Sequence, residues 1–130
     1  MNPSKGKKTE AQVTSSLRAP SQDQINRLLA YFQSGSLGEA EALATSLTQQ
    51  FPKHPFGWKA LGAIFQQTRR LEQALAAKQK SAELSPQDAE AHNNLGNTCN
   101  DLGMLESAQA SFMKALSLDP DYAEAHNNLG

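Results

Sequence analysis

A period constrains this chain more than any other feature. The octapeptide Ala-Glu-Ala-His-Asn-Asn-Leu-Gly stands at Ala89–Gly96 and again at Ala123–Gly130, an offset of 34 residues (123 less 89). The same offset joins Pro52, Pro86 and Pro120, and it joins Ala40, Ala74 and Ala108. It also joins Leu61–Gly62, Leu95–Gly96 and Leu129–Gly130. Several series at one spacing define a repeat, and each repeat is a supersecondary unit that buries its apolar face against its neighbours. The frame divides the chain into units 21–54, 55–88 and 89–122, followed by a truncated fourth, 123–130.

Each full unit predicts two amphipathic helices. In the second, Trp58, Leu61, Gly62 and Phe65 fall at i, i+3, i+4 and i+7, on one helical face. After a break near Arg69, a second helix starts with Leu71, Ala74, Leu75 and Lys78. Pro86 ends it, because proline cannot continue the backbone hydrogen-bond ladder. The third unit repeats both faces, first with His92, Leu95, Gly96 and Cys99, then with Leu105, Ala108, Phe112 and Ala115. Gly62 and Ala74, like Gly96 and Ala108, are expected to face each other so that two backbones approach closely. Ser21 with Gln24, and Asp121 with Glu124, fit capping boxes. Gly35 and Gly103 sit at the turn between helices, where a left-handed backbone suits glycine. Arg69 stands at the same turn position, which predicts a point of strain.

Trp58-x-x-Leu61-Gly62-x-x-Phe65, then Ala74, then Pro86, resembles the tetratricopeptide repeat. The resemblance covers 21–130 and implies an all-α fold, a right-handed superhelical solenoid of antiparallel helix hairpins. The first unit departs from it, with Leu28 in the place of Gly62 and Gly96, and Gln24 in that of Trp58. It reads as a divergent terminal unit. More narrowly, the third unit resembles arrays of large bacterial proteins and of O-linked N-acetylglucosamine transferases. There such arrays precede a glycosyltransferase or sulfotransferase domain, which implies a substrate-recruiting module as one alternative function. Another alternative is an oligomerisation unit. In it the truncated fourth repeat leaves Leu116, Leu118 and Tyr122 exposed and supports weak self-association.

A net charge of -1 gives no bulk attraction to nucleic acid or to acidic membranes, so neither is expected as a partner. Nor is any apolar run long enough to span a bilayer. The one cysteine, Cys99, excludes an intramolecular disulfide and points to a reducing, cytoplasmic compartment. Residues 1–20 carry Lys5, Lys7, Lys8 and Arg18 with few large apolar residues, which predicts a disordered leader and no secretory signal. No catalytic, cofactor or metal site is expected. His54, His92 and His126 have no cysteine or carboxylate cluster at ligand spacing, and Cys99 lies on an apolar face without an activating base. Glycine-rich phosphate loops and nucleophile elbows are absent. The expected function is a non-catalytic protein–protein interaction scaffold.

One polar constellation goes against local propensity. Asn93, Asn94, Asn97 and Asn100, followed by Asp101, share one predicted helix, although asparagine costs up to about 0.7 kcal/mol there relative to alanine. Asn93, Asn97 and Asn100 form a stripe away from the Leu95–Cys99 face. The preceding unit offers Lys59, Gln66 and Gln67 in matching places, and Asn127 and Asn128 begin the stripe again. A carboxamide both donates and accepts, so it can pair with a peptide backbone whatever the side chains. The resemblance implies that this face lines a concave groove for a protein or extended peptide. It also implies that Asn94 and Asn128 belong to a ladder that holds the backbone, with a gap at Ala60. Lys59, Gln66, Asn93, Asn94, Asn97, Asn100, Asp101, Asn127 and Asn128 are the expected contact residues. The carboxylate-clamp mode of chaperone-binding arrays is not expected, because it takes cations where Glu124 and Asn128 stand.

Overall fold

The computed structural model describes residues 18–130; the disorder expected of the leader falls, apart from 18–20, outside them. Among the described residues, seven helices follow one another with no strand between them. They are α1 (Gln22–Gln33), α2 (Leu37–Gln50), α3 (Pro55–Gln67), α4 (Leu71–Leu84), α5 (Ala89–Asp101), α6 (Leu105–Leu118) and α7 (Ala123–Leu129). Each helix packs chiefly on the next in sequence, which is the contact pattern of a solenoid of hairpins.

One turn closes all three hairpins. The amides of Ser36, Arg70 and Met104 donate to the carbonyls of Tyr31, Phe65 and Cys99, each at 2.8 Å. The residue before each amide donates in turn to the carbonyl three positions back. This double bond pattern satisfies carbonyls orphaned at a helix end, and it places one residue in the left-handed region. Gly35 and Gly103 hold φ of 78° and 77° there, and Arg69 holds 60°. Arg69 is the one non-glycine residue with positive φ among those described.

A second device joins successive hairpins. Pro52, Pro86 and Pro120 follow α2, α4 and α6 by two residues, and the next helix reaches back to each proline carbonyl. Trp58 Nε1 donates to Pro52 O at 2.9 Å; His92 Nε2 bonds Pro86 O at 3.0 Å and His126 Nε2 bonds Pro120 O at 2.8 Å. A carbonyl only accepts, so both histidines carry their proton on Nε2, in the role of the tryptophan N–H. These histidines latch the repeat.

Two apolar clusters hold the stack. Leu28, Ala40, Ala44, Leu47, Phe51, Leu61, Ile64 and Ala77 form the first, across the first two hairpins. Cys99, Ala108 and Phe112 form the second, with Leu75 and Leu95 packed against it. A side chain on Gly96 would meet the Phe112 ring at 2.5 Å, and one on Gly62 would meet Lys78 Cγ at 2.6 Å. The glycines therefore admit a large side chain four residues beyond the alanine expected to face them. In the first hairpin the same two places hold Leu28 and Ala44, both fully buried. Large and small have exchanged sides, which explains the departure of that unit.

The Ser21–Gln24 capping box forms, at 3.1 and 2.9 Å. The box expected at Asp121 and Glu124 does not. Tyr122 is the N-cap of α7 without a side-chain cap, and the Glu124 carboxylate instead accepts from Asn93. Leu116, Leu118 and Tyr122 are half-buried, contrary to the exposure expected of them. At this end of the stack Met104, Leu105, Met113 and Leu129 are the exposed large apolar side chains.

Candidate functional site

A cavity of about 270 Å³ opens between the first helices of the three hairpins, with α4 at its base. Phe32 of α1, Lys59, Ala63 and Gln66 of α3, Lys78 of α4 and Asn94 of α5 line it. The helical period places Lys59, Ala63 and Gln66 on one face of α3, spaced as i, i+4 and i+7. Three of the expected contact residues meet here: Lys59, Gln66 and Asn94.

They are not equally available. Lys59 is ion-paired to Glu90, across the junction of the second and third hairpins. Gln66 is the hub of a polar network: its Nε2 donates to Asp101 Oδ2 at 2.5 Å, while its Oε1 accepts from Thr98 Oγ1 at 2.6 Å and from Lys78 Nζ at 3.1 Å. The wholly buried Thr98 hydroxyl is satisfied by this arrangement. Asn94 is half-buried, and its carboxamide has no hydrogen-bond partner among the described residues.

Asn93 departs from the expected exposed stripe, being fully buried. Its Nδ2 donates to Glu124 Oε2 at 3.2 Å, and its Oδ1 accepts from Asn128 Nδ2 at 3.0 Å. The physical reason is the repeat itself. Lys59 and Glu90 occupy the same register positions as Asn93 and Glu124, so one inter-hairpin staple is an ion pair in one place and a carboxamide bond in the next. The expected asparagine ladder divides accordingly, with Asn94 free in the cavity and Asn128 tied to Asn93. Asn100 and Asn128 line a separate hollow of about 240 Å³, beside Phe112 and Leu129. Asp101 accepts from Gln66 and lies 3.9 Å from the Arg69 guanidinium. Asn97 is half-buried and Asn127 exposed, and neither lines the cavity.

The residue that sequence reasoning missed is Lys78. It belongs to the second-helix face, in register with Ala44 and Phe112, both buried. A lysine in a core slot was the available signal, hidden because the other members of that face read as apolar. Burial pushes the Lys78 ammonium below the usual lysine range, partly offset by the field of Asp101. The second donor contact of its Nζ, to Asn94 O, is long at 3.5 Å.

Elsewhere the chemistry is structural. Cys99 is buried, and burial raises its thiol above the usual range, the opposite of nucleophile activation. No group of three or more His, Cys, Asp or Glu is placed to hold a metal ion among the described residues. No helix among them is long and apolar enough to cross a membrane.

Hairpins in register, closed by one turn and latched by one proline contact, define a helical-repeat solenoid. The family model for the tetratricopeptide repeat matches residues 89–122, the third hairpin. No curated protein matches the chain by sequence. Among solved structures it is similar to the first tetratricopeptide domain of Spaghetti (RPAP3) bound to the HSP90 peptide SRMEEVD. The identity is 22% and the TM-score 0.79, over 86% of this chain and 91% of that one. It is also similar to the second such domain of human RPAP3 in complex with the HSP70 peptide SGPTIEEVD, at 19% identity and TM-score 0.77, over 82% of this chain and 88% of that one. A third likeness is to MamA, at 18% identity and TM-score 0.78, over 99% of this chain and 81% of that one. The third hairpin is a tetratricopeptide repeat, and the stack as a whole has the tetratricopeptide fold.

Proposed function

We propose that this protein is a non-catalytic interaction scaffold that takes an extended peptide segment in the groove bounded by α1, α3 and α5. The observation that carries this reading is the half-buried Asn94 carboxamide, unpaired at a cavity formed by three successive hairpins. An unpaired carboxamide in a helix sacrifices propensity without repaying it inside the fold. It offers a peptide bond both a donor and an acceptor. Two solved domains of the same fold hold peptides, which supports the class of ligand. Asn97, Asn100 and Asn127 extend the surface towards the hollow at α6 and α7. A substrate-recruiting module would use the same groove. Weak self-association is a second use of the stack, favoured by the exposed Leu105 and Met113 of α6. A cytoplasmic setting suits the single buried thiol.

The test rests on two effects of opposite sign. Asn94→Ala should stabilise α5 by a few tenths of a kcal/mol, from helix propensity. It should weaken binding of peptides selected from a displayed random library by about 1 kcal/mol per hydrogen bond lost. Thermal melts paired with fluorescence anisotropy read both. A variant that is more stable and binds equally well returns Asn94 to the solvated surface and removes the groove from the proposal.

A further inference from the structure

The groove has a charge pattern of its own. Among the described residues, Lys59 and Lys78 are the two charged ones that line it, and no acidic side chain does. Lys59 is already neutralised by Glu90. Lys78 takes part in none of the four ion pairs among the described residues. Its ammonium offers three N–H donors, and two find neutral acceptors, Gln66 Oε1 at 3.1 Å and the distant Asn94 O at 3.5 Å. The fold makes room for it: Gly62 leaves the space through which the lysine stem passes.

A half-buried cation whose direct partners are neutral has lost hydration and gains only the partial field of Asp101, with no ion pair, so an incoming anion is worth more there than at a surface lysine. We infer that Lys78 is the specificity point of the groove, and that it receives the carboxylate of an aspartate or glutamate side chain in the bound peptide. This rests on the peptide-groove reading and narrows its ligand to an acidic extended segment. One ammonium beside the Asn94 carboxamide matches a singly charged carboxylate. A phosphate dianion calls for a second free cation, and Glu90 holds the one nearby. The unpaired Asn94 amide and the Lys78 ammonium then divide the work, the first holding backbone and the second reading side chain.

The experiment uses the whole chain and a random peptide library fused through its C-terminus to a coat protein, so that no free terminal carboxylate is offered. Selections on the wild type should enrich an acidic residue at one fixed position. Selections on Lys78→Gln should lose that preference, and Lys78→Arg should restore it. The best wild-type peptide is then synthesised with its acidic residue intact, as the neutral amide, and as phosphoserine. The acid should bind the wild type about tenfold or more tighter than the amide, and both should bind Lys78→Gln alike. Thermal melts establish that Lys78→Gln is folded; if it is not, the salt dependence of the acid-to-amide ratio on the wild type is the readout, and that ratio should shrink as salt rises. An acidic preference that survives Lys78→Gln, or no such preference on the wild type, overturns the role of Lys78 and leaves the groove intact. Tighter binding of phosphoserine than of the carboxylate overturns the ligand class. A library from which the wild type enriches nothing removes the groove itself.

Discussion

The second and third hairpins share a backbone, a turn and a proline latch, yet they spend their interiors differently. In the third, Gly96 lies against the ring of a fully buried Phe112, and the left-handed turn residue is Gly103. In the second, the same slots hold Gly62 with Lys78, and the turn residue is Arg69. At the slot and the turn, every local preference agrees in the third hairpin. In the second, two positions, Lys78 and Arg69, carry residues that the fold alone would not choose, and it is beside this hairpin that the cavity opens. A repeat protein can tolerate that, because each unit is braced by two neighbours and adds its stability to theirs.

The largest expected effect lies in the slot pair. Phe112→Ala should cost about 3–5 kcal/mol, the usual loss for a buried aromatic ring. Lys78→Ala at the equivalent place should fall within about 1 kcal/mol of wild type, since the lost stem packing is offset by removing a poorly compensated charge. Urea titrations of the two variants measure the difference. Similar costs at both sites would dissolve the contrast between a packed and a polar hairpin.

The turns sharpen the same comparison by exchange. Arg69→Gly should raise stability by about 1 kcal/mol, because a Cβ is no longer held in the left-handed region, and Gly103→Arg should lower it by about as much. The Arg69 contact with Asp101 is exposed and long at 3.9 Å, so its loss subtracts little. Melting temperatures of the two variants should move in opposite directions; a fall for Arg69→Gly contradicts the strain.

The smallest effect is electrostatic and lies at the other edge of the second hairpin. Arg70 donates to both carboxylate oxygens of Glu41, and its guanidinium stacks 4.8 Å from the Phe65 ring centre. The corresponding places at the next junction hold Leu75 and Met104, which do not titrate. Hydrogen bonding to Arg70 holds the Glu41 carboxyl below the usual range. A carboxyl with a depressed folded pKa contributes stability that is present above its unfolded value, about 4.3. That contribution is lost as pH falls through the folded value. The stability gap between wild type and Glu41→Gln should therefore be widest near neutral pH and shrink below the unfolded value. A gap independent of pH would show that the pair acts through packing.

The sequence made the period, the hairpins and the turn chemistry legible, because each is a local property carried at fixed spacing. Arg69 could be placed in the left-handed turn by register with Gly35 and Gly103 alone. The lining face of α3 and α5 was legible in the same way, and with it Lys59, Gln66 and Asn94. What side chains do across a junction was not. Asn93 and Asn94 are neighbours in sequence with the same propensity. One is sealed by Glu124 and Asn128 while the other stays unpaired, because a helix turns about 100° per residue and only packing says which direction is occupied. Lys78 shows the same division. Its spacing put it on a buried face, and the stack alone determined that this face would open into a cavity where an ammonium finds neutral acceptors and no ion-pair partner among the described residues.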